Sequence, residues 1–312
     1  MNQKVKSSLL LLLTAMIWGS SFVAQRTGIE YIGPFTMNSV RSFLGALVLL
    51  PVIKVMDIQR KKSGELSSQT EAQKSQGRKD LILGGICCGI ALTVASSLQQ
   101  IGMLYTTAGK SGFITALYIL IVPIIGLFMK KHVGMKTWIG VALAVLGMYF
   151  LSVQEGFAIS KGDFLTFLCA IVFALHILII DYFSPKVDGV KLSCIQFAVC
   201  GILCACPMVL IEKPTVAQIL TAWLPIAYAG IMSCGVAYTL QIIAQKGIDP
   251  TVASLFMSLE SVFAALSGWL ILHEHLSARE LFGCVLVFVA IILAQLPEKM
   301  AVGKKEQEMV EE

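Results

Sequence analysis

Ten stretches of apolar sequence, each about twenty residues long, dominate this chain and limit the folds open to it. A helix needs roughly 20 residues to cross a hydrocarbon core about 30 Å thick. Lipid offers the backbone no hydrogen-bond partners, so such segments must satisfy their own amide groups as helices. The runs, numbered here as spans 1 to 10, lie near residues 8–28, 35–56, 81–104, 111–129, 134–152, 162–183, 191–211, 220–244, 251–272 and 278–296. The sequence predicts an all-α integral membrane protein with ten transmembrane helices.

The composition excludes an ordinary soluble domain. Hydrophobic residues make up 56% of the chain and charged residues only 14%, against about 25% charged in typical soluble proteins. The nine cysteines all fall within apolar runs and lack zinc-site spacing, so we interpret them as small packing residues. No nucleotide-binding GxxxxGK[ST] pattern is present. We therefore expect no cofactor and no ATP-driven pumping by this chain.

Lys and Arg are distributed unequally between the two sets of connecting segments. If the N-terminus is cytoplasmic, 18 of the 24 Lys and Arg lie in cytoplasmic loops and tails, and five lie outside. Positively charged loops stay on the cytoplasmic side, so both termini are predicted to be cytoplasmic. The net charge of +5 therefore reports orientation and indicates no nucleic-acid partner. The polar stretch 57–80 lacks apolar periodicity and is predicted to be a solvated cytoplasmic loop, and the tail 297–312 is predicted to be solvated in the same way.

The second half of the chain repeats the first at a shift of about 142 residues. The matching pairs are Leu98 with Leu240, Gln99 with Gln241, Ser111 with Ser254, Phe113 with Phe256, His132 with His275, Gly140 with Gly283, and Leu143 with Leu286. Such self-similarity indicates a duplicated unit, with one copy at 1–153 and the other at 160–296. Each copy holds five spans, an odd number, so the copies are inverted relative to each other. Inverted repeats are typical of secondary transporters, and a duplicated structural scaffold is the alternative.

Four segments give the chain a family resemblance. They read AMIWGSSFVAQR (15–26), VRSFLGALVLL (40–50), SSLQQIGMLYTTAGKSGFITALYILIVPI (96–124) and SLESVFAALSGWLILHEHLSARELFG (258–283). Together they resemble the drug/metabolite transporter superfamily, specifically ten-helix proteins with two EamA-type domains. The chain departs from the usual family pattern at Ser261, where a proline commonly follows the glutamate of span 9.

The resemblance implies a secondary transporter that exports a small organic solute across the plasma membrane by alternating access. Amino acids or related metabolites are the leading solute class, and amphipathic drugs come second. The resemblance also implies that spans 1, 3, 4, 6, 8 and 9 line a central cavity within the lipid bilayer. Coupling to protons and assembly as a homodimer are left open.

Three ionisable residues lie at bilayer depth, where a charge costs about 3 kcal/mol or more. Glu260 lies near the middle of span 9 and could bind a proton or a cationic group of the solute. Arg41, in span 2, could hold a carboxylate. His176, in span 6, could take part in a proton relay. The alternatives are a structural ion pair for Glu260 and Arg41, and an interhelical hydrogen bond for His176.

Several neutral polar or amphipathic residues also lie at bilayer depth and could orient a small organic ligand. They are Trp18, Ser20, Ser21, Gln25, Gln99, Gln100, Tyr238 and Gln241. Hydrogen bonding between packed helices is the alternative role for each of them.

A rival class of function is an integral-membrane enzyme that acts on a lipid substrate, and a receptor that does not transport is a third. The enzyme would need a cluster of carboxylates or histidines at one membrane interface. The run His273-Glu274-His275 approaches this, but its two histidines are spaced i, i+2 rather than the i, i+4 of a helical zinc site. We predict instead that Ser277 and Glu280 form a capping box that starts span 10.

Overall fold

The structure, a computed structural model, describes residues 3–62, 71–106, 108–128, 130, 133–152, 160–271 and 277–295. Within these ranges the regular structure is entirely helical. Eight segments are long and apolar enough to cross a membrane, and two shorter apolar helices occupy spans 5 and 10. The prediction of an all-α membrane protein is therefore confirmed, whereas the count of ten crossings stays a prediction.

In its described residues the first half of the chain has six helices. They are α1 (Gln3–Gly28), α2 (Pro34–Lys62), α3 (Glu71–Gly102), α4 (Ala108–Thr115), α5 (Tyr118–Phe128) and α6 (Met135–Ser152). Helices α1, α2 and α3 form spans 1 to 3, α4 and α5 together form span 4, and α6 forms span 5.

Over residues 160–271 and 277–295 the second half has eight α-helices and two π-helical segments. They are α7 (Lys161–Phe183), α8 (Gly189–Pro207), a π-segment (Met208–Glu212), α9 (Val216–Thr221), α10 (Trp223–Ala227), a second π-segment (Tyr228–Ala237), α11 (Tyr238–Gln245), α12 (Pro250–Met257), α13 (Leu259–Ile271) and α14 (Ala278–Gln295). Helix α7 is span 6, and α8 with its π-segment is span 7. Helix α10, the second π-segment and α11 form span 8, α12 and α13 form span 9, and α14 is span 10.

The prediction of a solvated loop over residues 57–80 is wrong at both of its ends. Helix α2 continues to Lys62 and α3 already begins at Glu71. These extensions are rich in Lys, Arg, Gln and Glu, which have high intrinsic helix propensity and need no apolar face when water surrounds them. The lack of apolar periodicity therefore indicated solvation and not the absence of a helix.

Contacts between helix ends show that the two halves run in opposite directions. The end of α2 meets the start of α8, where Arg60 Nη1 lies 2.5 Å from Asp188 Oδ2. At the other end of the same pair, Glu212 accepts hydrogen bonds from the backbone N–H groups of Phe35 (2.8 Å) and Thr36 (2.7 Å) at the start of α2. Spans 2 and 7 are therefore antiparallel. Since span 7 is the counterpart of span 2, the two five-helix units are inverted, as predicted.

Spans 4 and 9 are each broken near the middle, at equivalent positions of the two halves. Helix α4 ends at Thr115 and α5 begins at Tyr118, while α12 ends at Met257 and α13 begins at Leu259. The shift of about 142 residues superimposes these two breaks within one residue. Backbone hydrogen bonds continue across both breaks, from Ile119 N–H to Ala116 O at 3.1 Å in span 4 and from Ser261 N–H to Ser258 O at 3.1 Å in span 9, so each break changes the helix without leaving these N–H groups unpaired.

Candidate functional site

A cavity lies at the centre of the molecule and is bounded by both halves. Its lining residues come from spans 1, 2, 3, 4, 6, 8 and 9, and they are Trp18, Phe22, Gln25, Arg41, Gln99, Thr115, Tyr118, Phe173, Ser233, Tyr238 and Glu260. The open space at its centre is about 30 Å³, which holds roughly two water molecules. In this conformation the walls close tightly around the polar groups.

Glu260 enters the cavity because the break in span 9 falls directly before it. The residue lies in the first turn of α13 and only 5% of its surface is exposed. Tyr118, the first residue of α5, donates its hydroxyl hydrogen to Glu260 Oε1 at 2.9 Å. A carboxylate in a first helical turn is favoured by the helix dipole. Both broken helices thus contribute to holding this one carboxyl group.

Arg41 enters the cavity from α2, seven residues after the helix begins at Pro34. Its Nη1 donates to Gln25 Oε1 at 2.6 Å, and the side chain is 6% exposed. Gln25 in turn donates through Nε2 to the backbone oxygen of Ser21 at 3.3 Å. In the described part of the chain Arg41 and Glu260 form no salt bridge, so the ion pair considered from the sequence is not formed in this conformation.

Aromatic rings form much of the remaining wall. The ring of Tyr238 lies 4.6 Å from that of Trp18 and 5.4 Å from that of Phe197, measured between centroids. The indole Nε1 of Trp18 is buried without a hydrogen-bond acceptor. The cavity therefore combines one cation, one carboxyl group, an unpaired N–H donor and flat apolar surfaces.

The structure brings together six of the eleven residues predicted to bind solute or protons, and the other five do not line the cavity. The six that line it are Trp18, Gln25, Arg41, Gln99, Tyr238 and Glu260. Gln99 is fixed there by a hydrogen bond from its Nε2 to Thr115 Oγ1 at 3.1 Å.

Of the other five, four are buried (Ser21, Gln100, His176 and Gln241) and Ser20 is half-buried. Ser21 accepts a hydrogen bond from Gln25, and the Nε2 of His176 lies 3.0 Å from Gln196 Oε1. Gln100 and the Oε1 of Gln241 have no hydrogen-bond partner in the structure. For His176 the interhelical hydrogen bond considered as an alternative is present, whereas Ser21 is hydrogen-bonded within its own helix.

Sequence reasoning missed Phe22, Thr115, Tyr118, Phe173 and Ser233 as lining residues. Apolar residues in apolar spans give no signal, which explains the two phenylalanines. Tyr118 could have been found, because the 142-residue shift places it on Glu260. Residues 272–276 lie outside the described residues, as does the Glu280 side chain, so the predictions made for the histidine pair and the capping box stay predictions.

The comparisons with known proteins agree with this architecture. The model of the EamA-like transporter family matches residues 5–153 and again residues 160–296. An uncharacterized transporter of Archaeoglobus fulgidus is 32% identical over 94% of this chain and 87% of its own length. The uncharacterized transporter YoaV of Bacillus subtilis is 26% identical over 93% and 96%, respectively. The uncharacterized inner membrane transporter YedA of Escherichia coli is 23% identical over 90% and 88%.

A crystal structure of another protein shares the fold. It superimposes with a TM-score of 0.72 at 17% identity, over 93% of this chain and 96% of the other. The family match covers both halves of the chain, and the relatives align over nearly all of it. The chain therefore belongs to the EamA-like transporter family and is a membrane-embedded protein of transporter type.

Proposed function

We propose that this protein is a secondary transporter that exports a zwitterionic organic solute, an amino acid or a related metabolite, across the plasma membrane by alternating access. The observation that carries the proposal is the presence of Arg41 and Glu260 in one cavity without a salt bridge between them. Proton coupling through Glu260 accompanies the proposal.

The electrostatic cost of the site favours a solute that carries both charges. Each ionised side chain at membrane depth costs about 3 kcal/mol or more unless it is paired. In the structure each of the two has only a neutral partner, Gln25 for Arg41 and Tyr118 for Glu260. A solute carboxylate can form a bidentate pair with a guanidinium, and a solute ammonium group can pair with Glu260. A zwitterion therefore neutralises both groups in one binding event.

The aromatic wall adds a preference for an apolar or aromatic side chain on the solute. Trp18 and Tyr238 offer flat surfaces and one free N–H donor, and such surfaces bind apolar groups and rings. The open space is too small for a metabolite, so the solute enters only after the helices separate on one side. This requirement fits alternating access between two inverted halves around a central site.

The test is transport by the purified protein in liposomes, measured with a panel of radiolabelled solutes at several pH values. We expect transport of zwitterionic amino acids, and much weaker transport of their amides, which lack the carboxylate, and of N-acetyl derivatives, which lack the ammonium group. Glu260→Gln keeps the shape and hydrogen-bonding capacity of the side chain while removing its titration. This variant should insert and fold normally, yet lose most transport or its pH dependence.

Arg41→Gln should lose discrimination between an amino acid and its amide, whereas Glu260→Gln should retain it. Gln218→Glu, on exposed α9, is a charge-altered control outside the cavity and should transport as the parent does. Parent-like transport rates and pH profiles for Glu260→Gln would show that Glu260 takes no part in binding solute or protons. Failure of every solute in the panel would contradict the proposed substrate class.

A further inference from the structure

A second group of polar side chains lies deep between spans 6, 7 and 8, outside the central cavity. Its members share near-complete burial and at least one polar atom without a hydrogen-bond partner, and they are His176, Ser184, Gln196, Gln241 and Gln245. Buried polar atoms in proteins nearly always have a partner, which can be an ordered water molecule. So many unpaired atoms between three helices need an explanation.

The group forms a column that begins at the central cavity. The ring of Tyr238, which lines the cavity, lies 6.0 Å from the ring of His176. His176 Nε2 lies 3.0 Å from Gln196 Oε1, while its Nδ1 and the Gln196 Nε2 are unpaired. The first members of the column therefore connect the cavity to the interface between α7 and α8.

The column continues toward the face at which α1 begins, which is the predicted cytoplasmic face. Gln241 and Gln245 follow Tyr238 at helical spacing on α11 and end with that helix. Gln245 donates to the backbone oxygen of Ile177 at 3.2 Å, and Ser184 caps the end of α7. His176 lies seven residues before the end of α7, so at 1.5 Å per residue it is about 10 Å from that end.

The first half of the chain carries a related arrangement on the opposite side. Gln196 and Arg41 each lie seven residues into their helices, and each pairs with the preceding span. The Arg41–Gln25 pair (2.6 Å) thus mirrors the Gln196–His176 pair (3.0 Å) across the inverted repeat. One pair carries a formal charge and lines the cavity, whereas the other is neutral and lies behind the wall.

We propose that spans 6, 7 and 8 hold a file of ordered water molecules that connects the central cavity with the predicted cytoplasmic face and conducts protons to and from Glu260. Each unpaired amide, hydroxyl or imidazole atom along the column offers one hydrogen bond to such water, and a buried water needs two to four. The hydrogen-bonded file transfers a proton from cytoplasmic water to the Glu260 carboxylate. This step rests on the transport function proposed above; the water file does not.

No charged side chain interrupts this route among the described residues of the column. The titratable groups facing Glu260 are the phenols of Tyr118 on α5 and Tyr238 on α11 and the thiol of Cys169 on α7. The charged Arg41 on α2 lines the same cavity but lies outside the column. His176 faces the neutral Gln196 on α8 and the ring of Tyr238 on α11. Tyr238 links the two groups, because it lines the cavity beside Glu260 and contacts His176.

The file can be tested without a transport assay by hydroxyl-radical footprinting of the protein in nanodiscs. Radicals made from water oxidise the side chains next to bound water, and each rate is divided by that of the unfolded protein. His176, which lies behind the cavity wall, should be oxidised well above Met148, a fully buried residue of α6. In the double variant Gln241→Leu with Gln245→Leu, oxidation of His176 should fall to the Met148 level.

The matched control is Thr166→Val on α7, where the buried hydroxyl already donates to Gly162 O at 2.8 Å. This variant should keep the parent oxidation pattern. Oxidation of His176 at the Met148 level in the parent protein, or no fall in the double variant, would overturn the water file.

The proton step has its own readout, a pH-sensitive dye inside liposomes supplied with a mixture of the twenty common amino acids. The double variant should lose solute-driven proton flux, which Thr166→Val should retain. Solute transport by the parent protein without proton flux would overturn the proton step and leave the transport function standing. If the parent protein shows no transport, the transport function is contradicted. If it shows no oxidation of His176 above the Met148 level, the water file is contradicted independently of that result.

Discussion

Tyr118 and Glu260 are equivalent residues of the two halves that meet at the centre of the molecule. Their 2.9 Å hydrogen bond orients the carboxyl group toward the cavity, so Tyr118 is a positioning residue. A hydrogen bond to a charged group is worth about 1.5–3 kcal/mol. Tyr118→Phe should therefore lower the melting temperature, and it should raise KM for an ammonium-bearing solute because the carboxyl group is no longer held toward the cavity.

The matched control for Tyr118→Phe is Tyr228→Phe. This substitution also removes one hydrogen bond, the one between the Tyr228 hydroxyl and Ser20 Oγ at 2.5 Å. Tyr228, however, does not line the cavity. Equal kinetic effects of the two substitutions, measured in liposomes, would show that Tyr118 has no special role at Glu260.

Asp188, outside the membrane spans, gives a pH-dependent contribution to stability. Burial raises the pKa of its carboxyl group, but the N–H donors of Lys191 and Val190 and the Arg60 guanidinium outweigh this and hold the pKa below its ordinary value. A depressed pKa stabilises the fold above the unfolded-state pKa of about 3.9, and this contribution disappears as pH falls through the lower folded-state value.

Asp188→Asn keeps a good N-cap and removes the charge. It should lower the melting temperature at pH 7 slightly, since a partly exposed pair contributes less than about 1 kcal/mol. Melting curves of the two proteins should converge below pH 4. A difference that persists at low pH would assign the effect to packing.

At the scale of elements, the contact between α1 and α13 depends on one glycine. A Cβ built on Gly19 would lie 2.4 Å from Phe263 Cβ and 2.7 Å from the backbone oxygen of Glu260. Gly19→Ala should force α13 away and cost about 1–3 kcal/mol, as overpacking does. We expect a lower melting temperature and weaker transport, because the turn that carries Glu260 moves.

Gly77→Ala, in α3, is the matched control for Gly19→Ala, because it should not lower the stability of the protein. Nothing lies within 4 Å of a Cβ at this position, and alanine is about 1 kcal/mol better than glycine in a helix. The melting temperature should stay the same or rise. A stable Gly19→Ala protein with parent-like transport would show that α1 and α13 can adjust without cost.

Hydropathy predicted where the spans lie but not how they are interrupted. Spans 4 and 9 were predicted as continuous, yet they break at Ala116–Leu117 and at Ser258. None of these three residues is Gly or Pro, and the proline of span 4, Pro123, lies inside α5. The breaks depend on packing between distant spans, and a window of local sequence contains no information about such contacts.

The π-segment of span 8 illustrates the same limit. Residues Tyr228–Ala237 are as apolar as a regular helix, but the wider turn leaves a backbone oxygen of Ala237 that accepts a hydrogen bond from Thr14 Oγ1 at 3.2 Å. The partner is more than 200 residues away in sequence. Charged residues were easier to predict, because their cost in lipid alone places Arg41 and Glu260 against the interior.

At the scale of the whole molecule, opposite charges tie spans 2 and 7 together at one face. Asp57 Oδ1 lies 2.7 Å from Lys191 Nζ, and Arg60 contacts Asp188 beside it. At the other face Glu212 caps the start of α2. These contacts hold the two antiparallel spans at both ends, so we expect them to move together when the cavity opens.

The orientation of the molecule decides which face of the cavity opens to the cytoplasm, and cysteine labelling in intact cells can test it. The face at which α1 begins carries most of the Lys and Arg, so it should be cytoplasmic. Ser75, exposed at the start of α3, lies on that face, and Ala217, exposed on α9, lies on the other. After replacement of the nine native cysteines, Ala217→Cys should react with an impermeant thiol reagent in intact cells. Ser75→Cys should react only once the cells are opened. The reverse pattern would show that the protein has the opposite orientation in the membrane, and the water file would then lead to the outside.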